Sequence, residues 1–193
     1  MIIATVVAVL GAAFFALVLI HGHSRDQSWA EGLVQNAESL RLSASDKLSK
    51  AALAIDKLVE GAAAGDALPV NQTKTTAESA VSDLSSARDD LSQRAADLDE
   101  ATKLNLNGNF RHYLALLKSD NDKLEEAMAA AQQITALLQT EQYSLAGWDQ
   151  AQAQKTVARV HSMEASMDKL FGDSEALYNQ AAQLKKDHPD DFG

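Results

Sequence analysis

Between Ile2 and Ile20 the chain carries no charged side chain, and this run, IIATVVAVLGAAFFALVLI, constrains the fold more than any other feature. Thr5 is its one polar side chain and Gly11 its one glycine. At about 1.5 Å rise per residue, a helix of this length spans roughly 30 Å, the hydrocarbon thickness of a bilayer. The expectation is a single-pass transmembrane anchor over residues 1–25. A cleaved signal peptide would need a basic start, a shorter apolar core and a small-x-small cleavage site. Here the apolar run begins at Ile2 and passes into Ile20-His21-Gly22-His23-Ser24-Arg25 instead. Inside it, Ala4, Ala8, Ala12 and Ala16 recur every fourth residue with Gly11 alongside. Such a small-residue stripe lets helices approach closely in lipid, where packing and not hydrophobicity drives association. It marks a candidate contact with other transmembrane subunits or with a second copy. His21, His23 and Arg25 would then lie at the membrane interface, with Trp29 in reach of the interfacial aromatic belt.

The formal net charge is −10, and Arg25 is the one charged residue of the anchor region, which leaves −11 on residues 26–193. So acidic a surface repels phosphate backbones and excludes a nucleic-acid partner. The absence of cysteine removes disulfides, thiolate metal sites, c-type haem attachment and cysteine nucleophiles together. Only Arg25 and Arg41 follow the span closely, which by the positive-inside rule favours a cytoplasmic domain. Long acidic domains behind an extreme N-terminal anchor are nevertheless usually exported, and an extracytoplasmic, periplasmic domain is the expectation.

With two prolines in 193 residues and abundant alanine and leucine, the remainder has an all-helical composition. Four apolar-periodic segments are predicted, over 26–60, 75–103, 109–142 and 149–186, ahead of an acidic tail at 187–193. The first spaces Leu33, Ala37, Leu40, Ala44, Leu48, Ala51, Ile55 and Leu58 by threes and fours. Glycines at 61 and 65 and Pro69 then break it. Thr75-Thr-Ala-Glu78 reads as a capping box opening the second segment, which repeats Ala77, Leu84, Leu91 and Leu98 every seven residues with Ala80, Ala87 and Ala101 between. Leu104–Asn109 reads as a turn, since Asn-Gly favours left-handed backbone. Phe110, Leu117, Leu124, Ala131 and Leu138 seam the third segment, with Tyr113, Ala127 and Ile134 beside them. After a break at Tyr143–Gly147, Asp149 with Gln152 is a plausible cap for the fourth, seamed by Val157, Val160, Met167, Leu170, Leu177, Ala181 and Leu184. Gly172-Asp-Ser174 is a possible interruption. Lys185, Lys186 and Pro189 close it.

Seven-residue seams on four segments joined by short breaks predict an antiparallel, up-down-up-down four-helix bundle packed in coiled-coil style. The runner-up is a pair of helical hairpins that open to pair with another chain. In ground plan, though in no residue motif, this resembles the periplasmic four-helix sensor domains of bacterial chemoreceptors and histidine kinases. Those continue through the membrane into a signalling module, so the resemblance implies signalling through a partner.

Few residues suggest chemistry. His21 and His23 flank Gly22, a spacing that could share an ion but reads more simply as a polar helix start. His161 near Met163 and Met167 suggests a haem ligand pair, yet it follows the core residue Val160, and methionine at helical spacing is ordinary core filler. The Glu-x-x-His pairs of a di-iron bundle are missing, as are His-Glu-x-x-His, Gly-x-x-x-x-Gly-Lys and Gly-x-Ser-x-Gly. Asp120-Asn121-Asp122 looks calcium-like but lies mid-helix without the loop glycine, and is expected to form a polar layer fixing helix register. Arg88-Asp-Asp90 and Asp97-Leu-Asp-Glu100 read as solvated faces with basic neighbours. Asn71-Gln-Thr73 is a formal glycosylation sequon. No catalytic, cofactor or metal residue is assigned. The expected role is a non-catalytic accessory or scaffold subunit of a membrane complex, with small-molecule sensing as the alternative.

Overall fold

The computed structural model describes residues 2–64 and 69–192, with side chains from Arg25 onward. Four long helices account for nearly all of it: α1 (Ile2–Ala63), α2 (Val70–Thr102), α3 (Gly108–Thr140) and α4 (Gln150–Asp187). They run up, down, up and down, as the short connections require. Among the described residues no helix is long and apolar enough to cross a membrane. Of the expected anchor at 1–25, Arg25 is described and exposed, while the stripe Ala4, Ala8, Gly11, Ala12 and Ala16, with His21 and His23, lies outside the residues whose side chains are described.

Each helix starts where backbone chemistry permits. α2 begins at Val70 behind Pro69, not at the expected Thr75 capping box. Proline is well suited to a helix start, having no N–H to leave unbonded and a φ already near helical values. Thr75 lies inside the helix, where its hydroxyl donates to the Asn71 carbonyl at 2.9 Å, and Glu78 faces Lys74 instead of capping. The Asn107-Gly108 pair also differs from expectation, since Gly147 is the one described residue with positive φ. Asn107 adopts extended backbone, and its side-chain oxygen accepts from the Phe110 N–H at 2.8 Å, so the pair opens α3 as a cap. Asp149 caps α4 as expected, accepting from the Gln152 N–H at 3.0 Å. The expected break before it is a π-helical turn, Ser144–Trp148, closed by Gly147 at φ 89°. At Gly172 there is no interruption, and α4 runs straight through. Replacing Asn107 with alanine is expected to lower stability by about 1–2 kcal/mol, measured by urea unfolding.

The heptad seams of α2 and α3 are the core. On α4 the expected Val157, Leu170, Leu177 and Leu184 are only half-buried, as are Leu33 and Leu40 of α1, and the buried line of α4 runs through Ala153, Val160, Met167, Ser174 and Ala181. Ala77, Leu84, Leu91 and Leu98 of α2 are each at most 1 % exposed, as are Leu117, Ile134 and Leu138 of α3. Three apolar clusters stack along the bundle axis. One holds Ala37, Leu98, Phe110, Tyr113 and Leu117 near the Arg25 end. The middle one gathers Leu48, Leu84, Leu91 and Leu124, and the far one Ile55, Leu58, Ile134 and Val160. Residues past α4 complete the first cluster. Phe192, 6 % exposed, stacks on Phe110 at 5.1 Å between ring centroids and meets Tyr113 edge-on at 5.2 Å. Asp191 ties the same segment down, its carbonyl accepting from Asn107 at 2.9 Å and Gln27 at 3.2 Å, its carboxylate from Asn109 at 2.7 Å. The Leu104–Asn109 turn and the chain's C-terminal residues thus meet the Arg25 end, as the up-down order predicts.

The four sides of the bundle are not equivalent. α1 packs extensively on α2, α3 on α4 and α2 on α3, whereas α1 and α4 approach each other closely at few points. Two tightly packed hairpins therefore share one close seam, and the α1–α4 side is the wider one, bridged by side chains such as Arg41 against Ser174 and Tyr178.

Candidate functional site

Between the first and second apolar clusters, each helix contributes a polar side chain to one buried layer. Asp120 of α3, fully buried, stands at its centre. Its carboxylate accepts from Arg94 of α2, which is also 0 % exposed, and from the Ser174 hydroxyl of α4. Arg41 of α1 adds a forked pair, Nε to Oδ2 at 2.9 Å and Nη2 to Oδ1 at 3.2 Å. Arg94 reaches on to the Asn121 side-chain oxygen at 3.3 Å, and Asn121 donates to Glu125 at 2.9 Å. Tyr178 of α4 places its ring 4.0 Å from the Arg41 guanidinium carbon, a cation–π contact that partly offsets desolvation.

Two guanidinium groups thus share one carboxylate, Arg94 fully buried and Arg41 13 % exposed at its side chain. Burial pulls the Arg94 pKa below its ordinary value, and the Asp120 charge opposes that pull. Arg94 Nε is left buried without a partner. Such a layer is poor at adding net stability, because desolvation consumes most of the Coulombic gain. It does select one alignment of the four helices, since a slip of one turn would strand several charged groups in hydrocarbon. Asp120 and Asn121 are therefore the register layer expected from sequence, and exposed Asp122 takes no part.

Arg41 and Arg94 do not stand out in the sequence reading, although the pattern contains them. Arg94 sits where the Ala80, Ala87, Ala101 repeat skips a beat, and Arg41 lies between Ala37 and Ala44 on the core face of α1. A charge at a core heptad position is the available signal.

The wider α1–α4 seam carries two recesses. One, of about 210 Å³, lies between Glu31, Gln35 and Glu38 of α1 and Lys185 of α4, with Tyr113 and Phe192 as its floor. Tyr113 donates to Glu38 at 2.9 Å, and burial together with that carboxylate pushes the phenol pKa well above its usual range. The second, of about 370 Å³, opens over Arg41 between Ser45 of α1 and Phe171, Glu175 and Asn179 of α4. Further along, Asp56 of α1 faces Glu164 and Asp168 of α4. Partial burial, then the Glu164 charge and hydrogen bond, then Asp168 raise the Asp56 pKa, with His161 opposing them.

That shift gives stability a direction with pH. A carboxyl whose folded pKa is raised stabilises the fold fully below its unfolded pKa, and that contribution is lost as pH rises through the folded value. Asp56→Asn is therefore expected to melt higher than the parent at pH 7. The gap should close below about pH 4, where the parent carboxyl is protonated in both states. Thermal melts across that range check it.

The other residues singled out from sequence are dispersed. His161 is exposed, its Nδ1 2.9 Å from Glu164, while Met167 is 5 % exposed in the core, so no haem ligand pair forms there. No group of three or more metal-ligating side chains occurs among the described residues. Trp29, 58 % exposed, shares a shallow recess of about 680 Å³ with Arg25, Asp26, Ser28 and Leu104. The acidic runs find basic neighbours at Asp90, with Lys47 at 2.6 Å, and at Asp99, with Lys118, but Asp97 is 7 % exposed instead of solvated and accepts from the Asn36 and Gln93 amides. Asn71 of the sequon is exposed on the first turn of α2, but Thr73 is buried.

The site and fold together define a class: an all-helical four-helix bundle with a buried Arg–Asp–Arg layer and one wider seam. Compared with known proteins, the chain matches no family model, no curated protein and no solved structure.

Proposed function

We propose that this protein is a non-catalytic, membrane-anchored helical-bundle subunit that holds a rigid docking body against a larger membrane assembly. One observation carries the reading: the apolar run and the first bundle helix belong to a single unbroken helix, Ile2–Ala63. A helix of 62 residues is roughly 90 Å long. An anchor continuous with the bundle would fix the bundle's height and orientation above the lipid, which a flexible linker would not. The stripe Ala4, Ala8, Gly11, Ala12 and Ala16 supplies a close-packing face toward other transmembrane subunits or a second copy. The periplasmic side is the proposed location, on the strength of the acidic domain behind the N-terminal span.

The test is mild-detergent purification of the full chain. The chain should sediment with membranes, resist carbonate washing and copurify with a membrane complex. Replacing Ala8 and Ala12 with leucine should abolish that association while leaving the bundle's melting temperature unchanged. Recovery in the soluble fraction would refute the anchor. Association that survives the substitutions would refute the stripe as the contact.

The alternative, small-molecule sensing through a partner, draws support from the 370 Å³ recess over Arg41. It requires a metabolite that raises the melting temperature of the full chain. A flat response across a broad panel would remove its support.

A further inference from the structure

The wider seam has a composition of its own. Leu42 and Leu53 of α1 are 67 % and 60 % exposed, unusual for leucine on a bundle with so regular a core. Their positions on the helix are tied to the seam. Leu42 lies seven residues after Gln35, which lines the 210 Å³ recess opposite Lys185. It also lies three before Ser45, which lines the 370 Å³ recess opposite Phe171. Leu53 lies three before Asp56, the residue facing Glu164. Residues three, four or seven apart share a helix face, so both leucines border the seam on its α1 side. Eleven residues separate them, three helical turns or roughly 16 Å.

The opposite bank is acidic. Glu164, Asp168 and Glu175 succeed one another along α4, and Asp56 joins them from α1. Few cations among the described residues answer them: Arg41 is committed to Asp120, and His161 pairs with Glu164. An apolar lip beside an uncompensated acidic bank is the complement of an amphipathic helix with basic flanks. A second copy of this chain fits poorly, because its own seam and its net charge of −10 would set acid against acid.

We infer that the α1–α4 seam is a docking groove for a basic amphipathic helix of a partner protein, which seats apolar side chains between Leu42, Leu53 and Phe171 and presents lysine or arginine to Asp56, Asp168 and Glu175. This deepens the scaffold reading by giving the partner's chemistry, but it does not depend on how the chain is held at the membrane. The docked helix would cover the wider side of the bundle, between α1 and α4.

The experiment uses the full chain in detergent and a labelled, synthetic leucine–lysine amphipathic helix of about six turns as the probe. Two control peptides accompany it: the same composition scrambled out of helical periodicity, and a version with glutamate in place of lysine. Fluorescence anisotropy should show binding of the basic amphipathic peptide, weakened by added salt, and none of either control. The paired variant Leu42→Ser/Leu53→Ser and the paired variant Asp168→Asn/Glu175→Gln should each weaken binding by about tenfold or more. All four positions are exposed, so both variants should melt with the parent, which circular dichroism verifies. Equal binding of the basic and acidic peptides, no binding of the basic one, or affinity unchanged in both variants would overturn the inference. Self-association of the full chain lost in the leucine variant would also overturn it, in favour of a second copy. Membrane fractionation, run separately, reports on the anchor whichever way the peptide experiment falls.

Discussion

Asp120→Ala is expected to destabilise the bundle by about 3–5 kcal/mol, the cost of leaving a buried charge without its partner. The substitution strips Arg94, 0 % exposed, of its carboxylate and removes both ends of the Arg41 fork. Arg94 would then be buried with only the Asn121 side-chain oxygen for company. The informative comparison is the triple replacement Arg41→Met, Arg94→Met and Asp120→Leu, which removes every charge of the layer together. It should recover most of the loss, because a buried ion cluster replaced by apolar groups of similar volume is often neutral or stabilising. Urea unfolding of the parent and both variants measures the difference. If the single substitution cost less than the triple, the layer would be contributing stability directly and not merely selecting register.

Phe110→Ala is the second large effect, expected at about 3–5 kcal/mol. Phe110 is 2 % exposed and forms the hub of an aromatic cluster, stacked on Phe192 and edge-on to Tyr113 at 6.0 Å between centroids. Its removal would open a cavity at the Arg25 end and cut the anchorage of the C-terminal segment. Phe192→Ala should cost less, since a chain end can settle into the space it leaves. Both should increase proteolysis after Lys185 or Lys186. Limited digestion followed by mass measurement, beside the unfolding curves, separates loss of the tail from loss of the bundle.

The aromatic cluster and the charged layer also mark where sequence reasoning stops. The leucine and alanine repeats of α2 and α3 are legible because a seven-residue period carried through four successive positions in one and five in the other leaves little choice of face. Asp120 reads as a register residue because a carboxylate mid-helix in such a seam is costly to bury unless it specifies alignment. Its partners are not legible, because pairing depends on which helices are neighbours and at what height, and no local pattern encodes that. Arg41 and Arg94 stand at core positions of their own repeats, but nothing local says which carboxylate they meet. Phe192 lies within a short acidic stretch beyond Pro189, a context that reads as tail until α3 offers Phe110 beside it. The displaced start of α2 has a local cause: Pro69 looks like a terminator, and only the backbone beyond it shows that it opens the next helix.

The sequence alone determined that the chain begins with a greasy run of bilayer length, that the rest is helical, and that four seams must bury against one another in alternating directions. Periodicity and composition act within single helices, so one sequence suffices to read them. Tertiary structure decided which seams closed tightly, how two arginines came to share one aspartate, and that α1 and α4 are more widely spaced than the other neighbours. Those outcomes follow from distances between residues far apart in sequence, such as Arg41 and Ser174, 133 positions from each other. Contacts of that reach arise only when whole helices pack.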